Sequence, residues 1–150
     1  MNEDYRDILT ALVAQNARFL IVGAHALAAH GYPRATVDID IWIDATRDNA
    51  GRVWRALAEF GAPLDDLNIH EEDLTRTDVV AQFGLPPNRI DILTGLSGLT
   101  FEGAWPNRVE DVLEGVRAPV LGLADLLENK RAVGRDKDRA DVKGLQGKSC

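Results

Sequence analysis

Cysteine is almost missing from this sequence: the 150 residues include one, Cys150, which reads as incidental. No disulfide can form within the chain, and a reducing compartment, the cytoplasm, is expected. No stretch reaches the roughly 18–20 apolar residues needed to cross a bilayer, so no membrane segment is expected. The opening Met1-Asn2-Glu3-Asp4 is acidic and no apolar signal core follows it. Positive charge is in deficit as well. A formal net charge of -7 means that the surface as a whole does not advertise nucleic-acid binding, although a local basic cleft could still hold one. Internal repeats, low-complexity tracts and a defensible domain boundary are also lacking. What remains is 45% hydrophobic and 27% charged, enough apolar material for a core. The expectation is a single domain over residues 1–150, with a polar, frayed tail over 146–150.

The apolar pattern switches between two periods. Leu9, Leu12 and Val13 fall at helical spacing within Asp4 to Gln15. Phe19 to Val22 reads as a buried strand, Gly23 as its end, and Ala24 to His30 as a helix stopped by Gly31 and Pro33. Val37 to Ile43 alternates strictly: Ile39, Ile41 and Ile43 face one way, and Asp38, Asp40 and Trp42 the other. A helix capped at Thr46 or Asp48 follows, with Val53, Trp54, Leu57 and Phe60 inward and Gly61 as its stop. The acidic stretch to Thr77 is read as loop with a short helix at Glu71 to Leu74. Strands are expected at Val79 to Phe83 and Arg89 to Leu93 around a Gly-Leu-Pro-Pro-Asn turn, then a hairpin of Val109 to Leu113 and Val116 to Leu121. Helices at Leu123 to Val133 and Lys137 to Leu145 complete the domain. The fold class is α/β (α+β): a small mixed, partly antiparallel sheet with helices mainly on one face.

Two carboxylates two residues apart on a strand, Asp38 and Asp40, project from one face. A third, Asp91, has the same in/out position on another strand. If those strands are neighbours, three acids converge. Like charges crowded together need neutralising, and a hard divalent cation, Mg²⁺ or Mn²⁺, does that while leaving positions for phosphate oxygens. In a two-metal arrangement the ions would sit roughly 3.5–4 Å apart. Gly23 at a strand–helix turn permits close backbone approach, and the helix start offers free N–H groups to phosphate. Arg34 and Thr36 lie just upstream of the acids. Singly these signals are weak, and bland readings compete: His25 and His30 as packing or surface residues, Trp42 as pocket wall or plain packing, Asp44 as a cap, Trp54 as core, Glu71 to Asp73 as an exposed charge run. The combination carries the case.

Gly23-Ala24-His25-Ala26, His30-Gly31, Arg34, Thr36 and Asp38-Ile39-Asp40 together resemble the signature of the polymerase-β-like nucleotidyltransferase superfamily. The resemblance is to its small prokaryotic members, from minimal nucleotidyltransferases to enzymes of toxin–antitoxin and phage-defence operons. It implies that Asp91 is the third acid, and that Lys130, Arg135, Asp138 and Asp141 match the later Lys, Arg and Asp-x-x-Asp pattern. The resemblance spans about Phe19 to Leu145. By implication the chain moves a nucleoside monophosphate from a nucleoside triphosphate to an acceptor hydroxyl. Asp38, Asp40 and Asp91 would be the metal and catalytic residues. Gly23, Ala24, Arg34, Thr36 and Lys130 would hold the nucleotide. The acceptor (tRNA, a protein or a small molecule) stays open, and a homodimer or helical partner protein is expected. Ala24 stands where the family usually has Gly or Ser, which keeps a second reading in view: a binding module of the antitoxin or regulatory kind. A metal-dependent phosphohydrolase ranks third.

Overall fold

The computed structural model describes residues 2–148, with side chains as far as Gln146. Asn2 accepts a hydrogen bond from the Tyr5 amide and so caps α1 (Glu3–Ala14), whose first turn carries Glu3 and Asp4 where negative charge suits the helix dipole. After β1 (Phe19–Val22) the chain turns directly into α2 (Gly23–Ala29), then into β2 (Asp38–Ile43). Thr46 caps α3 (Arg47–Phe60) by accepting from the Asn49 amide, and Gly61 ends it in the left-handed conformation, φ 90°. A 3₁₀ turn at Glu71–Thr75 leads to β3 (Val80–Phe83) and β4 (Arg89–Leu93). Next come α4 (Phe101–Ala104), the hairpin of β5 (Val109–Leu113) and β6 (Val116–Val120), and the helices α5 (Leu123–Val133) and α6 (Asp136–Lys148).

The strands form one sheet in the order β3-β4-β2-β1-β6-β5. The β2–β4 and β1–β6 pairs are parallel and the other three antiparallel, so the sheet is mixed as expected. Making β2 and β4 parallel requires a crossover, which α3, the acidic loop and β3 supply. In the β2–β4 register Ile39 meets Ile90 and Ile41 meets Ile92, so the isoleucines of both strands share a face. None of them is more than 1% exposed. That face joins one apolar cluster with Ile8, Leu9 and Leu12 of α1 and Val53 and Leu57 of α3, two helices that pack on each other.

Three features differ from the sequence expectation. Trp54 is half-buried at the cluster margin rather than in the core, because Ala50, Val53, Ala56 and Leu57 already form the inward stripe of α3 and Trp54 lies on its flank. The short α4, followed by a 3₁₀ turn at Trp105–Asn107, was not expected; it exists because Thr100 caps it and Phe101 lies between Trp42, edge-on at 5.2 Å, and Trp105, stacked at 5.5 Å. Residues 146–148 continue α6 where a frayed tail was expected, while Ser149 and Cys150 lie outside the described residues. Among the described residues no helix is long and apolar enough to cross a membrane.

Asn49, 3% exposed, ties three segments together. Its Oδ1 accepts from the Arg18 amide at 2.6 Å, and its Nδ2 donates to the Arg18 and Asp44 carbonyls at 2.9 and 2.8 Å. Asn49→Ala strands these backbone groups and is expected to lower stability by about 3 kcal/mol. Urea denaturation followed by circular dichroism measures this, and a loss below about 0.5 kcal/mol would mean that the bonds are replaced by water.

Candidate active site

Because β2 and β4 are parallel neighbours, Asp40 stands directly opposite Asp91, and Asp38 opposite Arg89. All four therefore share the face away from the isoleucines. One oxygen from each of Asp38, Asp40 and Asp91 lies within 4.8 Å of the others. Asp91 is 6% exposed and the other two are half-buried. Burial, then the charges of Asp38 and Asp91 and a hydrogen bond with Asp91, push the Asp40 carboxyl up to about 7. Such a gathering needs counter-charge, and Arg89 supplies part of it. Its Nη2 donates to Asp38 Oδ2, and its Nε lies 3.2 Å from Asp91 Oδ1. The remaining oxygens also have donors: Thr36 Oγ1 lies 3.1 Å from Asp38 Oδ1, and Gln82 Nε2 lies 3.3 Å from Asp91 Oδ2. Three hard carboxylate oxygens so grouped form a set able to hold a hard metal ion.

Gly23 has φ 68°, and a Cβ there would sit 2.2 Å from Asp40 Oδ2. The glycine at the strand–helix turn is thus required by the carboxylate it lies against, which the turn signal alone did not reveal. Gly23 and Ala24 line one wall of a cleft of about 720 Å³ that also reaches Asp38 and Asp40. Four cationic side chains line the same cleft: Arg34, Lys130, Arg135 and Lys137. Lys130, 8% exposed, lies 3.4 Å from Asp138 Oδ1 and 3.5 Å from Asp141 Oδ2. Arg34 Nη1 donates to Asp141 at 2.6 Å, and Arg135 Nε to Asp138 at 2.6 Å. Burial raises the Asp138 carboxyl, but the Arg135 hydrogen bond and the Lys130 charge outweigh it and hold the group below its ordinary value. An anion therefore meets a basic end of the cleft fixed by two buried aspartates, and an acidic end able to hold a cation.

The remaining candidates take no part in the carboxylate group. His30 Nε2 sits 2.8 Å from the Leu121 carbonyl. His25 packs edge-on against Tyr5 at 5.6 Å beside the acids, with Nε2 buried and without a partner among the described residues; burial lowers its pKa, opposed by a hydrogen bond to the Asp38 backbone. Trp42 is core packing and lines a neighbouring hollow of about 500 Å³ instead of the cleft. Asp44 lies in that hollow, 3.6 Å from Arg18. Sequence reasoning passed over Arg89, Gln82 and Lys137. Arg89 was legible in principle, since it stands two residues before Asp91 on the same face, but an arginine on a strand carries no signal until its neighbours are known.

Two outcomes test this geometry. Gly23→Ala forces Asp40 to move and is expected to weaken Mn²⁺ binding by at least about tenfold, measured by calorimetry beside a thermal melt that confirms folding. Asp40 also makes the metal-free protein pH-sensitive. With its carboxyl raised from 3.8 to about 7, the folded state holds a proton that the unfolded chain releases. That stability is fully present below about pH 4 and is lost as pH rises through about 7. Melts in EDTA should show Asp40→Asn gaining on the wild type over this window, and Mg²⁺ should close the gap; a pH-independent difference would contradict the assignment.

No family model matches the chain, and no curated protein matches it in sequence. A solved structure does match in shape: that of a proposed nucleotidyltransferase from Thermotoga maritima, with a TM-score of 0.59 over 95% of this chain and 90% of that one. At 16% identity the likeness shows the fold, so this chain has a nucleotidyltransferase-like fold.

Proposed function

We propose that the chain is a metal-dependent nucleotidyltransferase that moves a nucleoside monophosphate from a nucleoside triphosphate to an acceptor hydroxyl. The observation that carries this reading is the cleft itself, where Asp38 and Asp40, two of the three grouped carboxylates, and four cations face one space. A triphosphate with its divalent cation presents the complementary pattern. The nucleotidyltransferase-like fold supports the same reading.

Asp38, Asp40 and Asp91 would hold the cation, which supplies charge neutralisation at the phosphates and lowers the pKa of the attacking hydroxyl. Lys130 and Arg34 would bind the phosphate tail, since both are already fixed at the basic end by Asp138 and Asp141. Arg135 and Lys137 extend that end. Thr36 and Gln82 hold the carboxylates of Asp38 and Asp91 in place by hydrogen bonds. In-line attack at the α-phosphorus would form the bond to the acceptor oxygen, pass the hydroxyl proton to Asp91 as base and release pyrophosphate with the electron pair of the broken bond. The protein contributes positioning and electrostatic stabilisation.

Calorimetric titration of ATP, CTP, GTP and UTP with Mg²⁺ tests the reading. Binding is expected for at least one nucleotide, only with metal, and is expected to vanish in Asp38→Ala/Asp40→Ala. Arg34→Gln should weaken the triphosphate by about tenfold through loss of a charge-assisted contact, leaving metal binding alone. Binding without pyrophosphate release against any acceptor would favour the regulatory binding module, and no binding at all would rule out the enzyme.

A further inference from the structure

Among the described residues Arg89 is the one cation that touches the three grouped acids directly, and it lies outside the cleft lining. It stands on the rigid strand β4 and bridges Asp38 Oδ2 and Asp91 Oδ1, the first and third acids. With Thr36 and Gln82 on the other two oxygens, every carboxylate oxygen of Asp38 and Asp91 already accepts from a protein donor. Asp40 faces Asp91 across the strand pair, and their carboxyl groups share a hydrogen bond. A divalent cation approaching the group therefore meets occupied oxygens and a guanidinium at contact distance, in a partly desolvated place where like charges repel strongly. Arg34, Lys130, Arg135 and Lys137 line the cleft that reaches Asp38 and Asp40, and their charge repels a free cation there. A cation already bound to a triphosphate carries net negative charge and is drawn by those same side chains. The Arg89 side chain is 32% exposed, so it has solvent into which it can withdraw.

We propose that Arg89 is a resident counter-cation that competes with divalent metal for Asp38 and Asp91, so that free metal binds poorly and enters as its complex with a triphosphate. Resting on the metal-dependent reading above, the inference adds an order of binding: nucleotide and metal arrive together, and Arg89 gives up its contacts as they seat. Between turnovers Arg89 keeps the three acids from repelling one another apart.

Electron paramagnetic resonance of Mn²⁺ tests it on the wild type, Arg89→Met and Arg89→Lys, each with and without a non-hydrolysable triphosphate. The expected result is weak binding of free Mn²⁺ by the wild type, tightened at least about tenfold by the triphosphate. Arg89→Met should bind free Mn²⁺ about tenfold more tightly than the wild type, with a smaller gain from the triphosphate. Free Mn²⁺ affinity that is equal or weaker in a folded Arg89→Met overturns the proposal, because Arg89 would then be assembling the site and not competing for it. Should Arg89→Met fail to fold, Arg89→Lys decides: its shorter single ammonium cannot span both acids, so tighter Mn²⁺ binding supports the proposal and unchanged binding overturns it. If neither wild type nor variants bind Mn²⁺ under either condition, the metal-dependent reading itself falls and takes this inference with it.

Discussion

Three aspartates on adjacent parallel strands repel one another, and much of the surrounding structure follows from how that repulsion is contained. In the observed register Ile39 pairs with Ile90 and Ile41 with Ile92 on the buried face, and Asp40 therefore opposes Asp91 on the other. A one-residue slip would exchange the acids with the isoleucines, and burying three carboxylates in the apolar cluster would cost far more than the sheet could supply. Hydrophobic burial on one face thus fixes an electrostatically unfavourable arrangement on the other. Arg89, Thr36 and Gln82 offset it, and each is the kind of partner that a divalent cation would replace or assist.

The basic end inverts this design. Asp138 and Asp141 are the buried members, at 0% and 3% exposure, and the cations around them are more accessible, with Lys130 the deepest. Buried ion pairs add little net stability, because desolvation offsets most of the attraction. Their value here is positional: two fixed acids hold Lys130, Arg34 and Arg135 toward a shared space without letting them disperse into solvent. This explains how a chain of net charge -7 presents a locally basic cleft. It also makes α5 and α6 part of the site, since Lys130 comes from one and both acids from the other.

Much of this was legible in the sequence because it rests on local periodicity. The alternation in Asp38 to Ile43 and Arg89 to Leu93 assigns faces, and an Asp-x-Asp strand followed by a second Asp-bearing strand with the same in/out pattern predicts convergence if the strands are adjacent. That condition is a matter of topology, and no pattern within either strand states it. The partners of Lys130 and Arg34 were harder to see. Arg34 lies 107 residues from Asp141, and a contact at that separation leaves no mark on composition or spacing. The short α4 escaped for a different reason: four residues are too few to show a period, and it is fixed by aromatic stacking on Trp42. Gly23 was read as a site for phosphate approach, whereas the structure brings a carboxylate against it.

That last point bears on Ala24, where the chain departs from the pattern of the family it resembles. The two positions of the turn have separable duties. Residue 23 must lack a side chain because Asp40 occupies the space, and glycine is retained there. Residue 24 lines the cleft, half-buried, so the serine commonly found in the family would present a hydroxyl to a bound phosphate. Alanine lacks that hydroxyl and would forfeit one hydrogen bond to a charged group, about 1.5–3 kcal/mol. Lys130 and Arg34 line the same cleft and are placed for contacts of the same charge-assisted kind, two against the one lost. Nor does Ala24 disturb the acids, which depend on residue 23. On the proposed reading, Ala24 would therefore trim the affinity for a metal–triphosphate complex and not abolish it.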